Sequence, residues 1–175
     1  AWSDFEYDFS GSTFFYPVDL TKSYYTKPVN VSGSTYQDEV RFDGSVYKDE
    51  ADFGSSIYKS WATFDGSTYT GWVGFNCSTY QSWVGFRDST YQDKTDFSRS
   101  IFYQEIYFGE DEYNSFSFFT DCAPQFYDET NRKNTLFGSH NNYFAVITDE
   151  CYPIDLNSKG LPLGCKFLTS EQKEY

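Results

Sequence analysis

The chain has 175 residues, a formal net charge of -13 at pH 7, and aromatic residues at 23% of its positions. This length fits one domain or one repeat array, and the aromatic content allows a large core. The negative charge argues against nucleic acid and anionic membranes as partners, and no apolar run approaches the ~20 residues that span a bilayer.

An eleven-residue repeat covers residues 9–119. It is clearest where the segments ATFDGSTYTGW, VGFNCSTYQSW and VGFRDSTYQDK follow one another. The first of two series of large residues is Phe9, Leu20, Val31, Phe42, Phe53, Phe64, Phe75, Phe86, Phe97, Phe108 and Phe119. The second is Phe14, Tyr25, Tyr36, Tyr47, Tyr58, Tyr69, Tyr80, Tyr91, Phe102 and Tyr113. A serine precedes each second-series residue by two positions, except at Asp111, and so regular a period predicts a repeat architecture.

The sequence divides into three parts. Residues 1–8 lead into the first repeat and are expected to form an N-terminal cap, because repeat arrays need their open ends covered. Residues 9–119 are the array. Residues 120–175 lose the period and are expected to form a C-terminal cap, in which residues 143–148 are a strand candidate.

Each unit splits into five and six residues, and both halves follow one rule: a small residue, any residue, a large aromatic residue, any residue, then Gly, Ser or Asp. Ser67-Thr68-Tyr69-Thr70-Gly71 and Ala62-Thr63-Phe64-Asp65-Gly66 show this rule. The pattern resembles that of pentapeptide-repeat proteins, whose motif places a small residue two positions before a central Leu or Phe. Over about residues 7–119, the resemblance implies a right-handed, four-sided parallel β-solenoid. The sixth residue of every second half, the frequent Tyr and the Ser column depart from that family pattern.

The alternative is an antiparallel β-meander closed into an up-and-down barrel, with two-residue turns such as Asp43-Gly44 and Asp65-Gly66. Two observations count against it. Residues with low β propensity fall in the middle of its strands: Asp38, Asp49, Ser60, Gly71, Ser82 and Asp93. Pro17 and Pro28 also fall at mid-strand, where a paired strand needs an N–H group. We therefore expect a solenoid of about ten 11-residue repeats with a disulfide-bearing C-terminal cap.

The cysteines and sequons favour a secreted glycoprotein. Four cysteines form an even set, and Cys151 and Cys165 bracket a loop suited to a disulfide. Cys77 then pairs with Cys122 or stays free. Asn30 and Asn76 head N-glycosylation sequons. The start at Ala1 and the lack of Met suggest a mature chain whose signal peptide has been removed.

Three tryptophans provide the best candidate binding surface. Trp61, Trp72 and Trp83 occupy one slot in consecutive units. The slot faces outward, since other units place charged residues there, namely Glu39, Glu50, Lys94 and Glu105. With two units per coil, Trp61 and Trp83 should stack on one side and Trp72 should lie on another. Exposed indoles of this kind suit a carbohydrate or a protein surface. The expected function is therefore non-catalytic, structural or recognition.

Several alternatives stay open. With two units per coil, one outward file consists of Thr13, Thr35, Ile57, Thr79 and Ile101, which resembles the surface of ice-binding proteins. An aromatic-lined barrel would instead carry a hydrophobic pigment or lipid. An enzyme is not expected, because His140 is the only histidine and no zinc or phosphate motif is present. No metal or cofactor is expected, and a homo-oligomer is left open.

Overall fold

A computed structural model of the chain describes residues 7–130 and 134–174. These residues form 24 strands of two residues each, β1 to β24 in chain order. Twenty-two of them build four parallel sheets that form the sides of the solenoid, and β20 and β21 form a separate antiparallel pair. Strands in the regular coils pair with the strand 22 residues later, as when Ile57 pairs with Thr79. Two eleven-residue units therefore make one coil, and the ten units give five coils. The predicted parallel solenoid is confirmed, and the antiparallel meander with its barrel is wrong.

The four sheets are named A to D in the order in which the chain visits them. Sheet A contains β1 (Tyr7–Asp8), β5 (Val29–Asn30), β9 (Ala51–Asp52), β13 (Val73–Gly74) and β17 (Thr95–Asp96). Sheet B contains β2 (Thr13–Phe14), β6 (Thr35–Tyr36), β10 (Ile57–Tyr58), β14 (Thr79–Tyr80), β18 (Ile101–Phe102), β23 (Leu136–Phe137) and β24 (Lys166–Phe167). Sheet C contains β3 (Val18–Asp19), β7 (Val40–Arg41), β11 (Ala62–Thr63), β15 (Val84–Gly85) and β19 (Ile106–Tyr107). Sheet D contains β4 (Tyr24–Tyr25), β8 (Val46–Tyr47), β12 (Thr68–Tyr69), β16 (Thr90–Tyr91) and β22 (Phe118–Phe119).

Columns of stacked aromatic rings fill the interior of the coil. Tyr36 and Tyr58 stack with ring centroids 4.8 Å apart and 5° between their planes, and the edge-on pair Phe42 and Phe53 joins neighbouring columns at 5.1 Å. The spacing follows from the distance between paired strands. The central rings of the second to fifth coils are fully buried. This packed interior removes the lumen on which the carrier alternative depended.

The corner that follows each strand of sheets A and C from β1 to β17 is tight. Every eleventh residue from 11 to 99 has a positive φ between 53° and 66°: Gly11, Lys22, Gly33, Gly44, Ser55, Gly66, Cys77, Asp88 and Arg99. This left-handed conformation suits glycine, but five of the nine positions carry another residue. These corners lie in the longer step between strand starts, which is six residues from Ala62 to Thr68, whereas the step from Thr68 to Val73 is five residues.

A hairpin interrupts the last repeat. β20 (Gly109–Glu110) and β21 (Ser115–Phe116) pair antiparallel, and Phe118 lies 28 residues after its partner Thr90 instead of 22. The sequence pattern placed Tyr113 in the core, but Tyr113 is 69% exposed at the hairpin tip. Phe119 takes the core position and stacks on Tyr91 at 4.5 Å. The insertion thus explains why Asp111 breaks the serine column, because Ser117 resumes it.

Both predicted caps differ in part from the structure. Tyr7 and Asp8 already form β1 of sheet A, and residues 1–6 of the predicted N-terminal cap lie outside the described residues. The C-terminal segment continues the coil with β23 and β24, and Phe126 and Phe137 extend two aromatic columns. The strand predicted over residues 143–148 is reduced to a single bridge between Tyr107 and Tyr143.

Candidate functional site

The tryptophan row divides between two sides of the coil, as the two-unit repeat predicts. Trp61 precedes β11 and Trp83 precedes β15, so both lie beside sheet C. Their ring centroids are 5.3 Å apart and their planes differ by 6°. Trp72 precedes β13 and lies beside sheet A. The structure therefore brings two of the three predicted site residues together and separates the third.

Two arginines and a tyrosine extend the stacked pair. The Arg41 guanidinium carbon lies 4.9 Å from the Trp61 ring centroid. The Arg87 guanidinium carbon lies 5.7 Å from the Trp83 ring and 5.0 Å from the Tyr107 ring, and the Trp83 and Tyr107 rings meet edge-on at 6.3 Å. We call Arg41, Trp61, Trp83, Arg87 and Tyr107 the sheet C ladder. Cations over indole faces are attracted by the ring quadrupole, which holds the ladder together.

Neighbouring side chains lie over the faces of the two indoles in the ladder. Trp61 and Trp83 are each half-buried. One face of Trp61 meets Trp83 and the ring also carries Arg41, while Trp83 meets Trp61, Tyr107 and Arg87. A sugar ring stacks on an open aromatic face, whereas protein side chains pack against edges as well. The exposed part of the ladder is therefore suited to edge contacts and to hydrogen bonds from the two guanidinium groups.

A network of acids fixes Arg87 in the ladder. The Arg87 Nε atom lies 3.4 Å from Asp65 Oδ2 and its Nη1 atom lies 3.3 Å from Glu110 Oε2. The Arg87 backbone N–H also donates to Asp65 Oδ1 at 2.7 Å. Burial raises the pKa of Asp65 to about 6, although the positive charge of Arg87 opposes that shift. With two carboxylates and a backbone bond on one side, the guanidinium group is held in place over the rings.

The ion pair between Asp65 and Arg87 occupies the space next to Gly85. A Cβ atom at Gly85 would lie 2.8 Å from Asp65 Oδ1 and 3.0 Å from Arg87 Nη2. Both distances are shorter than ordinary contacts, so any larger residue would displace the ion pair. The absence of a side chain lets the charged groups lie against strand β15. Sequence reasoning did not find Arg41, Arg87, Asp65 or Tyr107; the only signal was their place in the 22-residue register of sheet C.

An open cleft lies beside the ladder. It lies between the hairpin formed by β20 and β21 and the corner between sheets C and D, and it is open to solvent. Its lining residues are Gly44, Asp65, Gly66, Arg87, Asp88, Glu110 and Ser115. Three acidic residues, Asp65, Asp88 and Glu110, line the cleft together with Arg87. The surface next to the ladder is therefore acidic, and we call it the acidic margin of the cleft.

Trp72 covers sheet A. A Cβ atom at Gly74 would lie 2.3 Å from Trp72 Cη2 and 2.7 Å from its Cζ2 atom. The benzo ring of the indole therefore occupies the space directly outside Gly74. This packing gives Trp72 a structural role in covering the coil surface, and it lies away from the sheet C ladder.

The structure contains none of the predicted disulfides: all four cysteines, which lie among the described residues, are free. The prediction of a Cys151–Cys165 bridge is wrong in this structure because the two residues lie at different corners. Cys151 adjoins Tyr152, whose N–H donates to the Phe119 carbonyl at the end of sheet D. Cys165 is buried at the corner before sheet B, with its Sγ atom 3.7 Å from the Phe126 carbonyl oxygen. Cys77 and Cys122 are also unpaired.

The two sequon asparagines lie near sheet A. The Asn30 Oδ1 atom accepts hydrogen bonds from the Ser32 backbone N–H at 3.0 Å and from its hydroxyl at 2.6 Å. Asn76 is half-buried, and its Nδ2 atom lies 3.7 Å from Cys77 Sγ. Asn30 is the outward residue of β5 and is half-buried, as Asn76 is.

The predicted Thr/Ile file is formed on sheet B. Thr13, Thr35, Ile57, Thr79 and Ile101 are in register on successive strands. His140 lies in the C-terminal segment and stacks on Phe167 with centroids 4.1 Å apart. Across residues 7–130 and 134–174, no group of three or more His, Cys, Asp or Glu side chains is placed to hold a metal ion. The same ranges contain no helix that could span a membrane.

Comparisons with known proteins found no matching family model, curated protein or solved structure.

Proposed function

We propose that the protein is a non-catalytic recognition protein that binds a protein partner through the sheet C ladder. One observation carries this proposal: the stacked pair Trp61 and Trp83, bracketed by the guanidinium groups of Arg41 and Arg87. Tryptophan, tyrosine and arginine are the residues enriched at the energetic centres of protein interfaces.

The rigidity of the ladder supports this role. Each ring is held by its neighbours in the stack, and Arg87 is held by Asp65 and Glu110. Side chains that are already fixed lose little conformational entropy when a partner binds. The sheet beneath them also supports the ladder, because β7, β11 and β15 each pair with a strand on both sides.

The geometry favours a protein over a carbohydrate. The indole faces that a sugar would need are occupied by Arg41, by Arg87 and by the other indole. Ring edges and guanidinium donors instead suit a partner with apolar side chains and carbonyl or carboxylate acceptors. The acidic margin of the cleft and the net charge of -13 favour basic residues around that contact.

The experiment starts from an array of purified extracellular proteins probed with the labelled chain. Any captured partner is then titrated against Trp61→Ala, Trp83→Ala and Trp72→Ala. We expect each ladder variant to weaken binding by roughly 30-fold, which corresponds to ~2 kcal/mol at a hot spot. Trp72→Ala is the matched control, because it removes the same residue type from the same slot on another side.

The fold should survive these changes, since neighbouring units place Glu39 and Glu105 in the ladder slot, and circular dichroism checks this. Raising the salt concentration should change little the loss of affinity that Trp61→Ala and Trp83→Ala cause, because salt screens exposed charges and not aromatic contacts. Equal losses for Trp72→Ala and the ladder variants would contradict the proposal. If the labelled chain bound to a glycan array and to no protein on the protein array, the proposal of a protein partner would be wrong.

We further infer secretion and glycosylation from the two sequons, with Asn30 on the outer side of sheet A. The test is expression through the secretory pathway followed by glycosidase treatment. The treatment should lower the mass of the wild-type chain, and Asn30→Gln should remove the part of this change that is due to a glycan at Asn30.

A relation to pentapeptide-repeat proteins is likewise a proposal, supported by the four-sided coil and its central aromatic residues. No ligand is inferred from it.

Ice binding is the second candidate function, and the in-register Thr/Ile file carries it. The neighbouring outward file is irregular, with Phe15, Gln37, Lys59, Gln81 and Tyr103. Thermal hysteresis measurements distinguish the two functions. Hysteresis that Ile57→Lys abolishes and Trp61→Ala leaves unchanged would favour ice binding.

A further inference from the structure

Within the described residues, the core residues of the first coil, residues 7–28, are only partly covered. Phe9 is 41% exposed, although the equivalent Phe53 and Phe97 in later coils are fully buried. Phe14 and Leu20 are also only partly buried and pack against the core on one side. In the part of the chain that the structure describes, the aromatic columns therefore end in an apolar surface at the first coil.

The strands of this coil also have open edges. β1, β2, β3 and β4 each pair with one strand, namely β5, β6, β7 and β8. Their opposite edges have no strand partner among residues 7–130 and 134–174. Unpaired strand edges offer backbone N–H and C=O groups to another chain. The end surface thus combines apolar rings with open hydrogen-bonding groups.

Large exposed aromatic residues surround this end. Phe15 is 67% exposed, Tyr16 is 82% exposed and Tyr24 is 60% exposed. The coil carries two acids, Asp8 and Asp19, and two bases, Lys22 and Lys27, so it is neutral in a chain whose net charge is -13. The first coil therefore adds no net charge of its own to the repulsion between two acidic copies.

We propose that the first coil is a self-association surface, on which a second copy of the chain docks end to end. The two N-terminal ends are identical, so a two-fold axis between them gives a closed dimer. The C-terminal end is different, because irregular segments follow the last regular coil, including the antiparallel bridge between Leu156 and Pro162. Head-to-tail fibres are therefore not expected. The end of a single coil is a small interface, which predicts a weak, concentration-dependent dimer.

Sedimentation velocity over a concentration series tests the proposal. The wild-type chain should shift from monomer to dimer as its concentration rises. Phe9→Glu should keep the chain monomeric throughout, because it places a charge in the apolar end surface. Ile57→Glu is the matched control, since Ile57 is 40% exposed on the side of sheet B, and it should dimerise like the wild type.

A second measurement does not depend on a variant. Hydrogen exchange of the wild-type chain should show amide protection in residues 7–28 that increases with protein concentration, while the central coils stay unchanged. A monomer at every concentration, as when preceding residues of the chain itself cover the end, overturns the proposal. Species larger than a dimer, or dimers lost equally with Ile57→Glu, overturn it as well.

Discussion

Ser67 and Ser45 are joined by a hydrogen bond between successive coils of the solenoid. The Ser45 backbone N–H donates to Ser67 Oγ at 3.2 Å, and the Ser67 hydroxyl donates to the Phe42 carbonyl oxygen at 3.3 Å. The same backbone-to-serine bond recurs along two corners of the coil, for example from Ser34 to Ser56 and from Ser56 to Ser78. The serine column therefore satisfies main-chain groups at corners where no sheet bond is available.

Replacing Ser67 with alanine should destabilise the fold. The substitution leaves the buried N–H of Ser45 and the carbonyl of Phe42 without this partner, which costs about 1–3 kcal/mol. Urea unfolding measures the loss. Thr68→Ala is the control, because Thr68 lies next in sequence and points outward, so its effect should stay within about 0.5 kcal/mol. Equal losses in both variants would show that the serine hydroxyl has no special role.

Lys22→Gly should stabilise the protein. Lys22 has a φ of 53°, a conformation that costs an L-residue roughly 1–2 kcal/mol and glycine little. Part of this gain is lost to the greater freedom of glycine in the unfolded chain, so a net increase of about 0.5–1 kcal/mol in unfolding free energy is expected. Lys59→Gly is the control, since Lys59 is exposed without a positive φ and its replacement should destabilise. A loss at both sites would contradict the role of the left-handed corner.

Asp65 should make stability depend on pH. Burial raises its folded-state pKa to about 6, above the unfolded value of about 3.9. The stability contributed by the protonated group is therefore fully present below the unfolded pKa and is lost as pH rises through 6. Asp65→Asn cannot ionise at this position. The free energy of unfolding of this variant should therefore rise relative to that of the wild type as the pH increases from about 4 to about 7. Urea unfolding at several pH values measures the difference, and an NMR titration midpoint for Asp65 below its unfolded value would contradict the prediction.

The buried tyrosines predict unfolding at alkaline pH. Burial is the largest cause of the raised pKa values of Tyr36, Tyr47, Tyr58, Tyr69 and Tyr91. Unfolded tyrosine ionises near pH 10, so the stability held below that pH is lost as the pH rises above it. Tyrosinate absorbance from these buried residues should appear in one step that coincides with the loss of the circular dichroism signal. A single gradual titration with the fold intact would contradict this expectation.

The repeat in the sequence was sufficient to predict the coil. Large residues every eleven positions can all be buried only if consecutive units stack, and mid-strand residues such as Asp49 and Pro28 exclude long antiparallel strands. The two-unit register followed, and with it the stacking of Trp61 on Trp83 and the position of Trp72 on another side. These features depend on local spacing, which a sequence displays directly.

Only the tertiary structure decided how the outward side chains meet. Arg41 lies over Trp61, and Arg87 lies between Asp65 and Tyr107, because residues 20 to 22 positions apart become neighbours on adjacent strands. Their long side chains choose among several neighbours according to charge and space, and Gly85 provides that space. The sequence did not predict the hairpin that moves Tyr113 out of the core. It also did not predict that Cys151 and Cys165 lie at different corners. Both features depend on how the coils pack and not on local spacing. A period fixes the spacing along the chain, whereas insertions and side-chain packing are settled only when the coils stack.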